Sequence, residues 1–272
     1  MVKRLAEFLE RFEQVVEVCL VEVKGSSPRE SGTVMYVAVG GLFGTIGGGQ
    51  LEYMAIDEAR AMLGRGMASG EMDVPLGPEI GQCCGGRVRL SLTVMTADDK
   101  ARAMAWDEAE AQARPHVYVL GAGHVGRALA DLFQHLPYAC FLVDTRAEEL
   151  SLSEARVARR LTALPEAEIA AAPSGSAFIV LTHDHALDFL LASAVLERGD
   201  ARYVGMIGSA TKRARFESWC RAECDGLSAA ALVCPIGAGG SADKRPAVIA
   251  AQVVAEVITA FEAQDVKACV RV

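Results

Sequence analysis

Two adjacent cysteines lie between glycines in the segment GQCCGG, residues 81–86. A thiolate is a soft metal ligand and a nucleophile. Arg87 and Arg89 follow the pair, and a cation close to a thiol lowers its pKa. We therefore expect Cys83 to act as a soft ligand or a sulfur carrier. Cys84 is the structural partner, because neighbours along a strand point to opposite faces. The alternative is that both thiols are small buried hydrophobes.

A second glycine-rich loop, GTIGGGQLE, spans residues 44–52. Its exposed backbone N–H groups at Gly47, Gly48 and Gly49 are typical of an anion-binding concavity. The loop leads into a predicted helix, whose N-terminus favours a phosphate. Without a bound anion, Glu52 in the first turn would complement the helix dipole. A hairpin turn with no ligand is the other interpretation.

A third run, GAGHVG at residues 121–126, matches the G-x-G-x-x-G pattern between a predicted strand and a predicted helix. Glycines in this pattern allow the tight turn, the approach of a phosphate and close packing of helix on strand. Asp144 lies about 20 residues further on, at the end of the next strand, where a ribose-binding acid belongs. The residues of the turn expected to contact a ligand are Gly121, Gly123, His124 and Gly126.

Two further clusters follow later strands. In THDH, residues 182–185, His183 and the neighbouring Asp184 could relay protons or touch a ligand at the carboxyl end of a strand. The alternative is a helix start capped by Thr182 or Asp184. Ser209 ends the next strand ahead of Lys212, and this site could bind a phosphate or be a helix start with a solvated basic face.

The hydrophobic pattern divides the chain near residue 110. Strand-like runs and one internal helix before it predict an α+β domain over residues 1–110, rich in glycine turns. From residue 115 to 272, short apolar runs alternate with helical patterns, which predicts a Rossmann-like parallel sheet with helices on both faces. The fold class is therefore α/β: an N-terminal α+β domain followed by a Rossmann-like parallel-sheet domain.

Composition narrows the function classes. The 272 residues carry a net charge of −8, so no basic surplus is available to bind nucleic acid. The uncharged stretch 32–51 contains seven glycines and alternating residues, which argues against a membrane span. The N-terminal run predicts an amphipathic helix and not a signal peptide. The eight cysteines lack zinc-type spacing and are most simply free thiols in a reducing cytoplasm.

Eight short motifs, read in chain order, carry a family resemblance. They are SSPRESG, GTIGGGQLE, GQCCGGRV, VLGAGHVGRAL, VDTR, LTHDHALD, YVGMIGSATKR and CPIG. Together they resemble the XdhC/CoxI family of xanthine dehydrogenase accessory proteins over nearly the whole chain. One departure is Gly239-Gly240, where related proteins continue from CPIG into a helix entry with acidic residues.

The resemblance implies an accessory maturation factor and not an enzyme. Such a protein binds the molybdenum cofactor, a molybdopterin with a dithiolene and a terminal phosphate, while a cysteine desulfurase replaces an oxo ligand with sulfur. It then delivers the cofactor to apo-xanthine dehydrogenase. On this interpretation Cys83, or else Cys84, approaches the molybdenum. The glycine turn and the strand ends at Asp144, His183 and Ser209 hold the phosphate or pterin. A homodimer is also expected.

Two other functions stay open at this point. One is an NAD(P)-dependent oxidoreductase, in which Asp144 binds the ribose and His183 is the acid/base. The other is a scaffold for the desulfurase and the dehydrogenase, in which the glycine turn no longer binds a ligand.

Overall fold

The structure is a computed structural model that describes residues 4–27, 29–77 and 85–269, with only the backbone for residues 264–269. The chain divides into two compact units, residues 1–110 and residues 111–272. The first unit is α+β and the second is a parallel sheet with helices on both faces. The predicted fold class is confirmed.

The described elements of the first unit form an antiparallel sheet and three helices, the last of which ends just beyond the unit. Along the chain they are α1 (Leu5–Arg11), β1 (Val16–Lys24), β2 (Val34–Ala38), β3 (Gly41–Gly44), α2 (Gly49–Arg65), β4 (Ser69–Pro75), β5 (Arg87–Val94) and α3 (Ala97–Ala113). The strand order is β3-β2-β1-β5-β4. Alternate residues of β5, Val88, Leu90 and Leu92, are buried against α2, as expected for a sheet with one covered face.

The second unit carries the glycine turn between its first strand and first helix. Its described elements are β6 (His116–Leu120), α4 (His124–Phe133), β7 (Ala139–Asp144), α5 (Ala147–Ser151), β8 (Ala158–Leu161), α6 (Pro165–Ala171), β9 (Ala177–Val180), α7 (His185–Arg198), β10 (Tyr203–Met206), α8 (Ala210–Glu223), β11 (Leu232–Val233) and α9 (Pro246–Cys269). All the described strand pairs in this sheet are parallel, in the order β11-β10-β9-β6-β7-β8.

This strand order reverses direction between β6 and β9. The chain runs outward through β7 and β8 on one side of β6, then returns to place β9, β10 and β11 on the other. In open α/β sheets, ligands bind in the crevice at the carboxyl ends of the strands on either side of such a reversal. The glycine turn after β6 lies at this position.

Alternate residues of β6 pack into two different hydrophobic cores of the second unit. Val117 and Val119 face the layer that contains α4 and α9, whereas Tyr118 and Leu120 face the layer that contains α7 and α8. A strand that is buried on both faces has few polar positions, which explains why its run HVYVL is almost continuously apolar.

Helix α9 is long and apolar enough over Pro246–Ala263 to cross a bilayer by length and composition alone, with a mean hydropathy of 1.5. A core helix passes the same test. Ala250, Val253 and Val257 are fully buried against α4 and the sheet. The apolar side chains on this face of α9 therefore belong to the protein core.

Candidate functional site

Two glycines of the turn after β6 are required by packing. A Cβ on Gly121 would lie 2.3 Å from the carbonyl oxygen of Leu181, and the φ of Gly121 is +130°. A Cβ on Gly126 would lie 1.9 Å from the carbonyl oxygen of Gly121. The first position thus allows the tight turn, and the third allows α4 to pack closely on the strand.

The middle glycine of the turn is different. A Cβ on Gly123 would meet no described atom within 4 Å, and its backbone conformation suits any residue, with φ −65° and ψ −174°. The protein itself therefore does not need glycine here. Open space beside the backbone is what a phosphate requires in order to approach it.

The N-terminus of α4 leaves its amides available. Gly123 is the N-cap, and no side chain in the described part of the chain caps this helix. His124, the first helical residue, is exposed. Uncapped N–H groups at the positive end of a helix dipole form an anion site. The geometry suits a phosphate at the turn over residues 121–126.

Asp144 ends β7 beside this turn, and its carboxylate is already engaged. It accepts hydrogen bonds from the Ala122 N–H at 2.6 Å and from the Arg146 N–H at 2.9 Å. The Arg146 guanidinium adds two more, each at 3.0 Å. Although burial acts to raise the pKa of Asp144, these hydrogen bonds outweigh it and hold the pKa below its ordinary value. Asp144 is thus placed where a ribose-binding acid belongs, but its oxygens bind the protein.

Arg127 holds the same turn through the carbonyl group of Ala122. Its Nη1 donates to the carbonyl oxygen of Ala122 at 2.7 Å and to Glu149 at 2.6 Å. The peptide groups on both sides of Ala122 are therefore held, the N–H by Asp144 and the carbonyl by Arg127. This rigid support keeps the amides of α4 in place without the help of a ligand.

The cleft between the turn and the neighbouring strand ends is almost filled. It is lined by Gly121, Asp144, Pro165, His183 and Leu187, among others, and its volume is about 10 Å³. That is room for about one water molecule, whereas ligand pockets usually have about 300–1,000 Å³. A phosphate at the outer face of the turn does not need this space, and binding of a ligand by Asp144 stays a prediction.

The glycine loop before α2 holds an internal anion. Oε2 of Glu52 accepts hydrogen bonds from the N–H groups of Ile46 at 3.2 Å and Gly48 at 3.1 Å. Positive φ angles at Gly47, Gly48 and Gly49 turn the backbone around this carboxylate. A phosphate would have to displace Glu52, so binding of an external anion by these glycines stays a prediction.

The cluster after β9 combines a helix cap with a buried acid. Asp184 is the N-cap of α7 and accepts from the N–H of Ala186 at 2.8 Å, as one of the two interpretations of this cluster expected. His183 is exposed and lines the small cleft beside the glycine turn. Its part in ligand binding or proton transfer stays a prediction.

No pattern in the sequence pointed to Asp188. This residue in the first turn of α7 is 1% exposed and accepts from the N–H of Thr182 at 2.8 Å. Its other oxygen pairs with Lys212 of α8, whose side chain is only 11% exposed. Ser209 caps α8 by accepting from the N–H of Lys212 at 3.2 Å. Ser209 therefore starts a helix, as one of the two interpretations expected, but Lys212 forms an ion pair and is not part of a solvated face. Binding of a phosphate at Ser209 stays a prediction.

The predicted cysteine site at Cys83 and Cys84 lies outside the described residues, as does Gly81. The arginines that follow it are exposed and already paired. Arg87 donates to both oxygens of Asp73, at 2.7 and 3.0 Å, and Arg89 pairs with Glu22. The expected effect of these arginines on the pKa of the thiols stays a prediction.

The other described cysteines are buried or half-buried free thiols, namely Cys19, Cys140, Cys220, Cys224 and Cys234. Burial raises the pKa of Cys140 to about 12 and also raises that of Cys234, despite Lys212 and Arg213 nearby. Thiols of this kind are inert at neutral pH. Within the described residues, no cluster of three or more His, Cys, Asp or Glu side chains suits a metal ion.

Comparison with solved structures shows a shared fold. The chain superposes with a TM-score of 0.79 on a crystal structure described as a xanthine dehydrogenase from Bacillus halodurans. The match covers 96% of both chains at 15% sequence identity. At that identity the likeness concerns the fold alone.

Comparison of sequences adds a relative and two family domains. The chain is 29% identical over 135 residues to the uncharacterized protein YqeB of Escherichia coli (strain K12). The aligned part is 48% of this chain but only 22% of that protein. Residues 117–257, more than half of the chain, match the XdhC Rossmann domain, and residues 8–71 match the XdhC and CoxI family. The chain therefore belongs to the XdhC and CoxI family.

Proposed function

We propose that this protein is a maturation factor for xanthine dehydrogenase, which binds the molybdenum cofactor, holds it during sulfuration and passes it to the apo-enzyme. Membership of the XdhC and CoxI family supports the maturation role. The observation that carries the binding role is the uncapped N-terminus of α4 beside the open side of Gly123. The cofactor is cargo here, and the protein is an accessory factor and not an enzyme.

The phosphate of molybdopterin has a fitting partner in this turn. Backbone N–H groups at a helix N-terminus bind a phosphate without a change in their own protonation. Of the sites nominated from the sequence, α7 and α8 are capped by Asp184 and Ser209, and the loop before α2 holds Glu52. Only α4, among these described helix starts, offers its amides to an external anion.

The molybdenum end of the cofactor would be held by Cys83, or else by Cys84. Soft thiolates suit a molybdenum–sulfur centre, and loop sites allow a ligand to be handed on. The buried thiols at Cys140 and Cys234 are poor substitutes, since burial raises their pKa. The proposal therefore assigns the metal contact to the pair in the loop at residues 81–86.

The partners follow from the same role. A cysteine desulfurase would supply the sulfur, and apo-xanthine dehydrogenase would receive the cofactor, both in the cytoplasm. The factor itself would act as a homodimer. Its net charge of −8 accords with partners other than nucleic acid.

The rival function is an NAD(P)-dependent oxidoreductase, which the strand order and glycine turn would also accommodate. Two observations count against it. The Asp144 carboxylate is already hydrogen-bonded to Ala122 and Arg146, and the cleft beside it has a volume of only about 10 Å³. A dinucleotide would require both the arginine and the cleft to rearrange.

The proposal is tested by anaerobic titration with molybdenum cofactor, followed by gel filtration and assay of the retained molybdenum and pterin. The variants are Gly123→Val, which blocks phosphate approach without a steric clash, and Cys83→Ala. Their matched controls are Gly64→Val at an open helical glycine and Cys19→Ala at a half-buried thiol.

Wild type and both controls should retain about one cofactor per chain. Gly123→Val should lose most of the retained pterin, and Cys83→Ala should lose molybdenum. Absence of retention by the wild type would refute the chaperone function, and binding of NAD(P) with hydride transfer would replace it by the oxidoreductase. Full retention by Cys83→Ala and by the equivalent Cys84 variant would exclude the thiol contact.

A further inference from the structure

A groove lies between α7 and α8 in the second unit. Its volume is about 640 Å³, which lies within the usual range for small-molecule sites. It is a separate feature from the small cleft beside the glycine turn, and the two share none of their described lining residues. Nothing in the proposed binding of cofactor phosphate at residues 121–126 uses this groove.

Aromatic rings form the floor of the groove. Phe189 of α7 and Trp219 of α8 line it, with ring centroids 5.7 Å apart. Both rings rest on Phe216, which is fully buried, at 5.2 and 6.0 Å. Since Phe216 holds them in place, the two rings lose little freedom when a ligand stacks on them. Leu190, which is 49% exposed, extends this apolar surface.

Among the residues that the structure describes, the polar rim of the groove carries one positive charge without an acidic partner. Lys212 is neutralised by Asp188. Arg215 is exposed, lines the groove and takes part in no hydrogen bond or ion pair among the residues that the structure describes. It lies one helical turn before Trp219, so both side chains are on the same face of α8. A guanidinium beside an aromatic surface suits a ligand that is planar and anionic.

We propose that the α7–α8 groove binds a planar heterocyclic anion, with its ring on Phe189 and Trp219 and its carboxylate or phosphate on Arg215. The hydroxyl of Thr211 and the ring of His185 add hydrogen-bonding groups at the rim. A protein helix fits less well, because it would need an apolar strip over several turns. Here the apolar floor consists of Phe189, Leu190 and Trp219, with polar side chains around it.

Two kinds of ligand have this chemistry, namely a pterin with an acidic side chain and a purine nucleotide. One experiment can distinguish between them. The chain has two tryptophans, and Trp106 is 76% exposed on α3. A Trp106→Phe protein therefore reports on Trp219 alone by fluorescence. It would be titrated with pterin-6-carboxylate and adenosine monophosphate, and with the uncharged analogues pterin and adenosine.

The proposal requires saturable quenching of Trp219 by at least one anionic probe. The matching uncharged analogue should bind at least about tenfold more weakly, and so should Arg215→Gln, because a charged hydrogen bond is lost. Arg221→Gln, at an exposed arginine outside the groove on the same helix, should bind like the parent. A Trp219→Phe protein that retains Trp106 corrects for non-specific quenching.

Three results would overturn the proposal. One is no saturable quenching by either anion. Another is equal affinity for the charged and uncharged probes. The third is an affinity that Arg215→Gln leaves unchanged. If an acidic aromatic peptide bound in the first of these cases, the groove would be a protein-docking site.

Discussion

The backbone N–H of Ala122 lies 2.6 Å from Oδ2 of Asp144, so the strand-end acid binds the glycine turn itself. Arg146 takes the remaining capacity of the carboxylate with its own N–H and a bidentate guanidinium contact. In a dinucleotide-binding protein the equivalent acid is available to a ribose. Here the carboxylate holds the turn, and the proposed ligand-binding groups are the uncapped amides of α4.

Asp144→Asn should lower the free energy of unfolding by about 3 kcal/mol at neutral pH. The amide cannot accept from both Ala122 and Arg146 as the carboxylate does, and the buried donors lose partners. Urea unfolding followed by circular dichroism would measure the change. Asp243→Asn is the control, because Asp243 also pairs with an arginine two residues later but in an exposed loop, and it should unfold like the wild type.

The stability difference between wild type and Asp144→Asn should also depend on pH. The pKa of Asp144 is lowered in the folded state, so its contribution is present above the ordinary aspartate pKa of 3.8. That contribution is lost as the pH falls through the lower folded value. The stability difference between wild type and Asp144→Asn should therefore be constant from neutral pH to about pH 5 and shrink below about pH 4. A difference that persists unchanged to about pH 2 would show that the carboxylate charge is not responsible.

Gly126→Ala should lower the stability of the protein far more than Gly123→Ala. A Cβ at Gly126 overlaps the Gly121 carbonyl oxygen, so this variant should lose about 3 kcal/mol or fail to fold. A Cβ at Gly123 meets open space, so only the preference of the N-cap for glycine over alanine is lost, and the unfolding free energy should fall by about 1 kcal/mol at most. Thermal unfolding of both purified variants tests the contrast. Equal destabilisation by the two alanines would contradict the different roles of these glycines.

The strongly patterned elements were predictable from the sequence. Continuous apolar runs identified β6, β7, β9 and β10, because strands buried on both faces have few polar residues. Strand β8 escaped prediction because its residues, ARRL, are all exposed at a sheet edge and show no apolar alternation. Strand β11 has only two residues, too few for a pattern.

The candidate site was only partly predictable, because some of its contacts join residues that are distant in the sequence. The glycine pattern correctly placed the turn, and the arginine two residues after Asp144 was a signal for an ion pair at this carboxylate. Asp188 gave no signal, because an acid in the first turn of a helix usually complements the helix dipole. Its burial depends on Lys212, which comes from the next helix and reaches it only in the folded chain.

Glu52→Ala tests whether the glycine loop before α2 is an anion site. Loss of a carboxylate that accepts from Ile46 and Gly48 should cost about 1 kcal/mol, comparable to the loss of a helix cap. Inorganic phosphate should then raise the melting temperature of Glu52→Ala by more than that of the wild type, in which Glu52 occupies the amides of this loop. Sodium chloride at the same ionic strength, in buffers without sulfate, is the control for non-specific salt effects on the melting temperature. Stabilisation of the wild type to the same extent would mean that phosphate binds elsewhere.

A double-mutant cycle tests the buried pair between Lys212 and Asp188. Lys212→Met leaves the carboxylate, and Asp188→Asn leaves the ammonium, each without its partner in a site that is at most 11% exposed. Each single variant should lose about 3 kcal/mol, because an unpaired buried charge is costly. The double variant has neither charge and retains an amide oxygen to accept from the N–H of Thr182, so it should lose about 2 kcal/mol less than the sum of the two singles. Chemical denaturation of the four proteins measures this coupling. Strictly additive losses would show that the two charges do not stabilise one another.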